Sequence, residues 1–347
     1  MKKIIFVGNV GIGGKYPVSI QSMTSTPTSD SEATLEQING LYNAGCDIVR
    51  VAVPDKDSLL SFKKIADKSP IPVIADIHFD HKLAIGSIKN GADGIRINPG
   101  NIGSDIKVKK ILDCAKNNNI PIRIGVNSGS IEKRFLKPGK SRIDSMVDSL
   151  MEKVHFCESF NFTNIKLSIK SSDVRETVKA YRIIDKKCNY PLHLGVTETG
   201  TFLTGTIKSA IGIGSLLLDG IGNTIRVSLT DNPLNEIKSA IQILKITGKL
   251  ESGIDLISCP TCARTSPEFI NIVKKIEKEI KTLKIEKKMK IAVMGCEVNG
   301  PGEAKDADIG IAFSKNYAYI FKKGKLIKKI ESKNVIKVFS DIVSKLK

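Results

Sequence analysis

The sequence predicts an α/β protein, a (β/α)8 TIM barrel followed by a small α+β domain. From residue 18 onward, short runs of β-branched residues alternate with longer segments of helical period, the pattern of parallel strands joined by crossover helices. Eight such units precede residue 249, which matches the strand count and size of this barrel. A doubly wound open sheet is the alternative. It normally has fewer strands and a glycine-rich fingerprint in its first turn, which this sequence lacks.

The local pattern predicts each element in order. Residues 4–7 and 10–12 flank Gly8 and Asn9, which predicts a β-hairpin at the bottom of the barrel. The strands are predicted at residues 18–23, 47–51, 73–76, 94–97, 122–126, 164–168, 192–196 and 224–227. The helices between them include residues 31–44, 57–68, 105–119, 143–160, 172–187 and 234–246. Several begin with Ser or Asp and end at Gly or Asn, as capped helices do.

The periodic pattern ends after the eighth unit. We expect a barrel over residues 1–248, a linker over 249–258 and a second domain over 259–347. The second domain is predicted to begin with a Lys- and Glu-rich helix at residues 267–283 and to end with a helix at 333–346. Between them we expect strands at residues 290–294, 309–313 and 317–321, with a Gly/Pro turn at 295–302 after the first strand.

Composition and charge exclude several classes of protein. Hydrophobic residues make up 41% and charged residues 26% of the 347, which is typical of a globular protein. No run approaches the roughly 18 apolar residues of a membrane span, and residues 1–14 lack the pattern of a cleavable signal. Seven cysteines, an odd number, argue against a disulfide framework. We therefore expect a cytoplasmic protein that does not associate with a membrane.

The net charge of +18 could attract nucleic acid. Most of this charge comes from lysines scattered over predicted helix faces, which is typical of a solvated surface. We therefore expect no nucleic-acid partner.

Arginine is scarce, and its placement is informative. Only nine occur, and four of them fall at the carboxyl ends of predicted strands, where barrels of this class carry their chemistry. Guanidinium groups bind phosphate oxygens through paired, charge-assisted hydrogen bonds, so their convergence predicts a site for a diphosphate or a similarly charged small molecule. Pairing of these arginines with acidic side chains inside the barrel is the structural alternative. The strand-end residues include Arg50, Arg96 with Asn98, Arg123 with Asn127, Lys170, and Arg226 with Ser228.

Three further strand-end residues are candidates for proton transfer. Asp76, His78 and Glu198 lie where a barrel mouth can shift a pKa toward the working pH. Their alternative role is to orient neighbouring side chains through hydrogen bonds.

The cysteines of the second domain predict a metal centre. Cys259-Pro-Thr-Cys262 places two thiolates on one centre, and Cys296 lies in the Gly/Pro-rich turn that ends at Glu303. Proline beside a cluster cysteine is frequent in iron–sulfur loops, so an iron–sulfur site is favoured. A structural zinc site and a redox-active dithiol stay open as alternatives. The remaining cysteines, 46, 114, 157 and 188, are expected to be packing residues.

Seven phrases of the sequence resemble those of the IspG/GcpE family of bacterial 4-hydroxy-3-methylbut-2-enyl diphosphate synthases, and the resemblance runs nearly end to end. The Asn-Gly-Pro-Gly-Glu phrase is highly specific. The phrases are Gln21-Ser-Met-Thr24, Arg96-Ile-Asn-Pro-Gly-Asn101, Arg123-Ile-Gly-Val-Asn127, Gly195-Val-Thr-Glu198, Gly220-Ile-Gly-Asn-Thr-Ile-Arg-Val-Ser228, Cys259-Pro-Thr-Cys262 and Gly295-Cys-Glu-Val-Asn-Gly-Pro-Gly-Glu303.

The resemblance implies a [4Fe-4S] cluster held by Cys259, Cys262, Cys296 and Glu303, with flavodoxin or ferredoxin as electron donor. A carboxylate is a harder ligand than a thiolate and is easier to displace, so one iron could open to a substrate oxygen. The implied reaction opens and deoxygenates 2-C-methyl-D-erythritol 2,4-cyclodiphosphate, a step of the non-mevalonate (MEP) isoprenoid pathway.

The resemblance also implies roles for individual residues. Asp76, His78, Asn98 and Glu198 would line the reacting carbons, with Glu198 the favoured group for proton transfer. The diphosphate would be bound by Arg50, Arg96, Arg123, Asn127, Lys170, Arg226 and Ser228.

The length of the linker predicts a head-to-tail homodimer. The eighth helix returns the chain to the bottom of the barrel, whereas the cluster must reach the mouth. Residues 248–258 span at most about 35 Å. The distance from the bottom of the barrel to its mouth, along one helix, is already roughly 20 Å. Any sideways distance to the site adds to this. We therefore expect the cluster domain of one chain to cover the barrel of its partner.

Two other functional classes stay open. One is a barrel transferase of the pterin-binding type with structural zinc in its tail. The other is a basic binding protein without catalytic activity, such as an RNA-binding protein.

Overall fold

The computed structural model divides the chain into two units, Met1–Lys249 and Leu250–Lys347. It describes residues 1–251, 253–282, 288–296, 298, 302, 306–314 and 316–344. Within these ranges no helix combines the length and the apolar character that crossing a bilayer requires.

A β-hairpin begins the first unit. Strands β1 (Ile5–Val7) and β2 (Val10–Ile12) pair antiparallel. Their buried side chains, Ile12 among them, pack against Ile48 and Ile74, which lie near the amino-terminal ends of two barrel strands. The hairpin therefore covers the bottom of the barrel, as the sequence predicts.

Eight parallel strands close into a barrel, which confirms the predicted fold class. They are β3 (Ser19–Met23), β4 (Ile48–Ala52), β5 (Val73–Asp76), β6 (Gly94–Ile97), β7 (Ile122–Asn127), β8 (Ile165–Lys170), β9 (His193–Leu194) and β10 (Thr224–Ile225). Their order is β8-β7-β6-β5-β4-β3-β10-β9. The ring closes where the amide of Leu167 donates to the carbonyl of Pro191 at 2.9 Å.

Strands β9 and β10 are shorter than the sequence predicts. Each has two residues, and the predicted continuations at residues 195–196 and 226–227 lie outside the strands, although the amide of Arg226 still donates to the carbonyl of Leu194 at 3.0 Å.

Helices follow the barrel strands along the chain. They are α1 (Ser31–Asn43), α2 (Lys56–Lys68), α3 (His81–Lys89), α4 (Pro99–Ile102), α5 (Asp105–Asn117), α6 (Arg142–Ser159), α7 (Val174–Lys187), α8 (Phe202–Leu218) and α9 (Pro233–Ile246). Asp30, Asp55 and Asp173 cap three of them by accepting hydrogen bonds from amides of the first turn. These caps fix the residues at which the loops between strands and helices end.

The second unit contains a five-stranded sheet. Its strands, in spatial order, are β11 (Ile254–Ser258), β12 (Met289–Met294), β13 (Ile309–Phe313), β14 (Tyr317–Lys322) and β15 (Lys325–Glu331). The first three are parallel and the last two pair antiparallel. Helices α10 (Phe269–Thr282) and α11 (Val335–Ser344) share a hydrophobic core with the sheet.

Two strands of this sheet differ from the prediction. Strand β11 occupies residues that the sequence assigns to the linker, and β15 was not predicted. Strand β11 is held by main-chain pairing with β12, a long-range contact that a local pattern does not reveal. Strand β15 is exposed along nearly its whole length and lacks a clear apolar alternation. The connection between α9 and β11 therefore shortens to residues 247–253.

The hairpin should contribute strongly to the stability of the barrel. Ile12 is 0% exposed, so Ile12→Ala removes buried carbons and leaves a cavity. We expect the free energy of unfolding of the first unit to fall by about 2–5 kcal/mol. Urea unfolding followed by circular dichroism measures the change. The control is Leu60→Ala, because Leu60 is 75% exposed on α2. An equal effect of both substitutions would contradict this role of the hairpin.

Candidate functional site

Cationic side chains lie buried on several strands of the barrel. Arg50, Arg96, Arg123 and Lys170 are between 5% and 9% exposed, and Arg226 directly follows β10. In the ladder between β6 and β7, Arg96 lies directly beside Arg123. The structure thus brings these cations together, although Arg123 is the second residue of β7 and not at the carboxyl end that the sequence predicts.

The carboxylate of Asp76 is the counter-ion of two of these arginines. Its Oδ1 accepts a hydrogen bond from Nη1 of Arg96 at 3.1 Å, and its Oδ2 lies 3.5 Å from Nε of Arg50. Burial raises the pKa of this carboxyl, but Arg50, the neighbouring His78 and Arg96 outweigh it and hold the pKa well below its usual range. Asp76 therefore stays ionised near neutral pH, which favours a counter-ion role over proton transfer.

The imidazole of His78 lies at the same ion pair. Its Nε2 is 3.1 Å from Nη1 of Arg96 and 3.7 Å from Oδ2 of Asp76, and its side chain is half exposed. A guanidinium can only donate, so the ring nitrogen that faces Arg96 accepts the hydrogen bond. His78 therefore connects the buried cations with the open mouth.

Some buried guanidinium nitrogens have no hydrogen-bond partner in the described chain. They are Nε of Arg96, Nε and Nη1 of Arg123, and Nε of Arg226. An unpaired buried donor costs about 1–3 kcal/mol, and more when it is charged. Burial, followed by the repulsion of Arg50 and Arg96, lowers the pKa of Arg123 well below its ordinary value. A bound anion would supply the acceptors and reverse this penalty.

Lys170 reaches the same region because residue 195 is glycine. A Cβ added at Gly195 would lie 2.6 Å from Nζ of Lys170 and 2.8 Å from the carbonyl oxygen of Arg226. Burial, followed by the repulsion of Arg123 and Arg226, lowers the pKa of Lys170 well below its ordinary value. An anion bound here would favour the charged form of the amine.

Two further buried polar side chains received no role from the sequence. Lys166 is 1% and His193 0% exposed, and neither has a hydrogen-bond partner for its side chain in the described chain. Burial, followed by Arg123 and Arg50, lowers the pKa of Lys166 to about 7. The signal that could have identified Lys166 is the period of two along β8, which places it on the same face as Lys170.

A cleft of about 400 Å³ opens among the segments that follow β7, β8 and β9. Asn127 and Glu198 line it together with Arg142 and Thr197. Glu198 is exposed and has a φ of 55°, a left-handed conformation that non-glycine residues adopt rarely. The structure therefore places the predicted proton-transfer residue at the rim of the site.

Asn98 and Ser228 complete the predicted substrate residues. Asn98 is buried, and its amide holds the loop after β6 by accepting from the amide of Gly100 and donating to the side chain of Asn101, both at 3.3 Å. Ser228 is half-buried, and its carbonyl accepts a hydrogen bond from the hydroxyl of Thr199.

Within the second unit, Cys259 and Cys296 follow neighbouring parallel strands. Sγ of Cys259 accepts a hydrogen bond from the amide of Gly295 at 3.1 Å, and the amide of Cys259 donates to the carbonyl of Val293 at 3.3 Å. Parallel strands end at the same edge of a sheet, so β11 and β12 bring both thiols to one edge.

The loop of Cys262 lies against the same strand end. The hydroxyl of Thr265 donates to the carbonyl of Cys262 at 2.7 Å and accepts from its amide at 3.2 Å. The methyl group of Thr265 occupies the space that a side chain at position 295 would need. Glycine at 295 therefore allows the Cys262 loop to approach the edge that carries Cys259 and Cys296.

These residues fit an iron–sulfur group in their chemistry. The donors are thiols, the described cysteines form no disulfide, and an amide hydrogen bond to a cysteine sulfur is a common feature of such sites. In the described ranges no three His, Cys, Asp or Glu side chains are grouped closely enough to hold a metal ion. The predicted ligand Glu303 lies outside the described residues.

Fold and site together define the class of protein, a (β/α)8 barrel with a group of buried cations, followed by a cysteine-bearing domain of strands and helices. Two family models match the two parts. The GcpE TIM-barrel domain matches residues 2–241, and the GcpE protein C-terminal domain matches residues 255–345. The chain belongs to the GcpE family.

Characterised relatives cover nearly the whole chain. A protein of Fusobacterium nucleatum named 4-hydroxy-3-methylbut-2-en-1-yl diphosphate synthase (flavodoxin) is 52% identical, over 99% of this chain and 96% of its own length. A protein of Clostridium perfringens with the same name is 54% identical, over 97% of this chain and 96% of its own length.

Solved structures with a similar fold include two dihydropteroate synthases. The one from Yersinia pestis has a TM-score of 0.53 at 10% identity, covering 72% of this chain and 98% of its own. The one from Coxiella burnetii has a TM-score of 0.52 at 14% identity, with the same coverage. At these identities the likeness shows a shared barrel fold alone, so it does not favour the transferase alternative.

Asp76→Asn should destabilise the barrel in a pH-dependent way. It leaves two buried arginines without their carboxylate, so we expect a loss of about 3–5 kcal/mol in the free energy of unfolding near pH 7. The pKa of Asp76 is lower in the folded than in the unfolded protein. Its stabilisation is therefore complete above the unfolded pKa of about 3.9 and is lost as the pH falls further. The difference between variant and wild type should shrink below about pH 4.

Urea unfolding measured between pH 3 and pH 8 checks this. Asp67→Asn is the matched control, since Asp67 forms an exposed pair with Lys63 and should cost less than about 1 kcal/mol. A loss for Asp76→Asn that does not vary with pH would rule out the counter-ion role.

Proposed function

We propose that this protein catalyses the reductive ring opening and two-electron deoxygenation of 2-C-methyl-D-erythritol 2,4-cyclodiphosphate to 4-hydroxy-3-methylbut-2-enyl diphosphate, a step of non-mevalonate (MEP) isoprenoid biosynthesis. The observation that carries the proposal is the buried cation cluster at the barrel mouth. It occurs in a chain that is 52% and 54% identical, over nearly its full length, to synthases of this name.

The charges at the mouth support a diphosphate ligand. Five cations converge there, namely Arg50, Arg96, Arg123, Lys170 and Arg226. Two carboxylates contact them, Asp76 and, at 3.5 Å from Nε of Arg226, Glu236. With all five cations protonated, as a bound anion favours, five positive and two negative charges leave an excess of three. At a separation of about 4 Å and an effective dielectric constant of 20, each contact between a ligand charge and one of these cations gains about 4 kcal/mol of Coulomb energy. The cost of removing water from both groups is not included in this figure.

The proposed roles follow the positions of the side chains. The diphosphate is bound by Arg50, Arg96, Arg123, Asn127, Lys170, Arg226 and Ser228. Asp76 keeps two of the guanidinium groups in place, and Asn98 shapes the loop after β6. His78 and Glu198 lie toward the open side of the mouth, where the carbon skeleton would extend. Glu198, at the rim beside Asn127, is the proposed proton-transfer group.

We further propose that Cys259, Cys262, Cys296 and Glu303 hold a [4Fe-4S] cluster. The placement of Cys259 and Cys296 at the ends of adjacent strands supports this ligand set. When bound, such a cluster supplies electrons one at a time for the reductive removal of oxygen, and flavodoxin or ferredoxin would replenish them. Thiol ligands of this kind suit the reducing cytoplasm, which is the proposed compartment.

Activity of protein purified without oxygen tests the proposal. Wild-type protein should contain about four irons and no zinc per chain and should convert the cyclodiphosphate to product, followed by phosphorus NMR. Arg123→Lys should lower kcat/KM by at least about 100-fold, because lysine cannot replace a planar pair of donors. The control is Arg182→Lys, since Arg182 forms a surface pair with Asp219. A zinc-containing protein without turnover would contradict the proposed function.

We also propose that the working form is a head-to-tail homodimer. Residues 247–253 join α9 to β11 and span at most about 25 Å, which limits how far one chain can extend over its own barrel. Helix α8 supports self-association, because it leaves a row of large apolar side chains exposed at helical spacing. These are Leu203, Ile207, Ile211 and Leu218.

Mixed dimers test this arrangement. An Arg226→Ala chain lacks a substrate residue and a Cys296→Ala chain lacks a cluster ligand, so each alone should be inactive. If the cluster of one chain serves the barrel of the other, co-expressed mixed dimers should recover up to about half of the activity of one wild-type dimer, because one of two sites is intact. Verified mixed dimers without any activity would rule out the exchange.

A further inference from the structure

The hairpin of β14 and β15 carries a dense group of exposed lysines. Five lie within eight residues and form the basic edge, defined as Lys322, Lys323, Lys325, Lys328 and Lys329. Strand β15 is the last strand of the sheet in the described part of the second unit. The basic edge therefore lies along one border of the domain that carries the cysteines.

The charge of the basic edge is uncompensated in the described chain. None of its lysines forms an ion pair there, and the neighbouring carboxylate of Glu331 is already paired with Lys333 at 2.7 Å. Nζ of Lys329 lies 4.2 Å from the ring centroid of Tyr317 and 5.7 Å from that of Tyr319. An aromatic face attracts the ammonium group but does not neutralise it. The edge therefore presents a positive field to solvent.

Apolar side chains accompany these lysines. Leu326 is 56% and Ile327 48% exposed, and both lie in the middle of the lysine group. Lysines alone would be explained as protection of an edge strand against pairing with other chains. Exposed aliphatic side chains do not serve that purpose, whereas an apolar centre within a charged rim is the composition of a protein interface.

The same hairpin is connected to the thiol-bearing strands. Phe321 of β14 packs with Ala292 and Met294 of β12 in the small hydrophobic cluster that Cys259 also contacts. A protein docked on the basic edge would therefore lie against the sheet that carries the proposed cluster ligands.

We propose that the basic edge, together with Leu326 and Ile327, is the docking surface for an acidic electron-donor flavoprotein of the flavodoxin class. The inference rests on the proposed function. A positively charged surface is complementary to an acidic protein. The names of the synthases that the chain resembles include flavodoxin.

The test compares two reductants with two double variants. Lys325→Glu with Lys328→Glu reverses two charges of the basic edge, and Lys186→Glu with Lys187→Glu makes the same change in net charge at the exposed end of α7. Turnover is measured with reduced flavodoxin and with dithionite-reduced methyl viologen. The small reductant needs no docking surface. Light scattering gives the oligomeric state of each protein.

The basic-edge variant should raise the KM for flavodoxin roughly tenfold at low salt, and less at high salt. Its turnover with methyl viologen and its oligomeric state should match those of wild type. An equal rise in KM for the α7 variant, or no rise for the basic-edge variant, would overturn the docking surface while the proposed function stands. A change in oligomeric state would assign the edge to self-association instead. A wild-type protein that forms no product with either reductant would overturn the proposed function and this inference together.

Discussion

The carboxylate of Asp76, shared between Arg50 and Arg96, is the interaction on which the barrel interior depends. Without it, guanidinium groups would repel one another in a region of low dielectric. One carboxylate cannot balance all of its cationic neighbours, and the consequence appears as lowered pKa values and as buried donors without partners. The barrel is therefore stable enough to fold, yet it keeps an excess of positive charge that an anionic ligand would neutralise.

One geometric rule positions the functional groups of both units. Parallel strands end at a common edge, so residues far apart in the chain become neighbours if each directly follows or ends a strand. In the barrel this rule brings the arginines to the mouth. In the second unit it brings Cys259 to Gly295, the residue before Cys296. The hairpin of β1 and β2 packs against the other end of the barrel.

Sequence reasoning was most successful where local pattern and position agreed. The arginines were identified because scarce residues fell at the ends of β-branched runs, and the barrel followed from the repetition of those runs. Prediction from the sequence failed where contacts between residues far apart in the chain determine the secondary structure. Strand β11 depends on its pairing with β12, and β15 is too exposed to show an apolar alternation. Lys166 was missed because a lysine inside a strand is expected at the surface, whereas closure of the barrel turns it inward.

The sequence by itself determined the order of the elements, the family and the residues that stand at strand ends, because these depend on residue type and spacing. Only the tertiary structure decided what those residues do to one another. It paired Asp76 with Arg50 and Arg96, buried Lys166 beside Arg123, buried His193, and left Glu198 exposed. The physical reason is that burial and pairing set the pKa and the hydrogen bonds of each group. Both depend on neighbours that only barrel closure brings together.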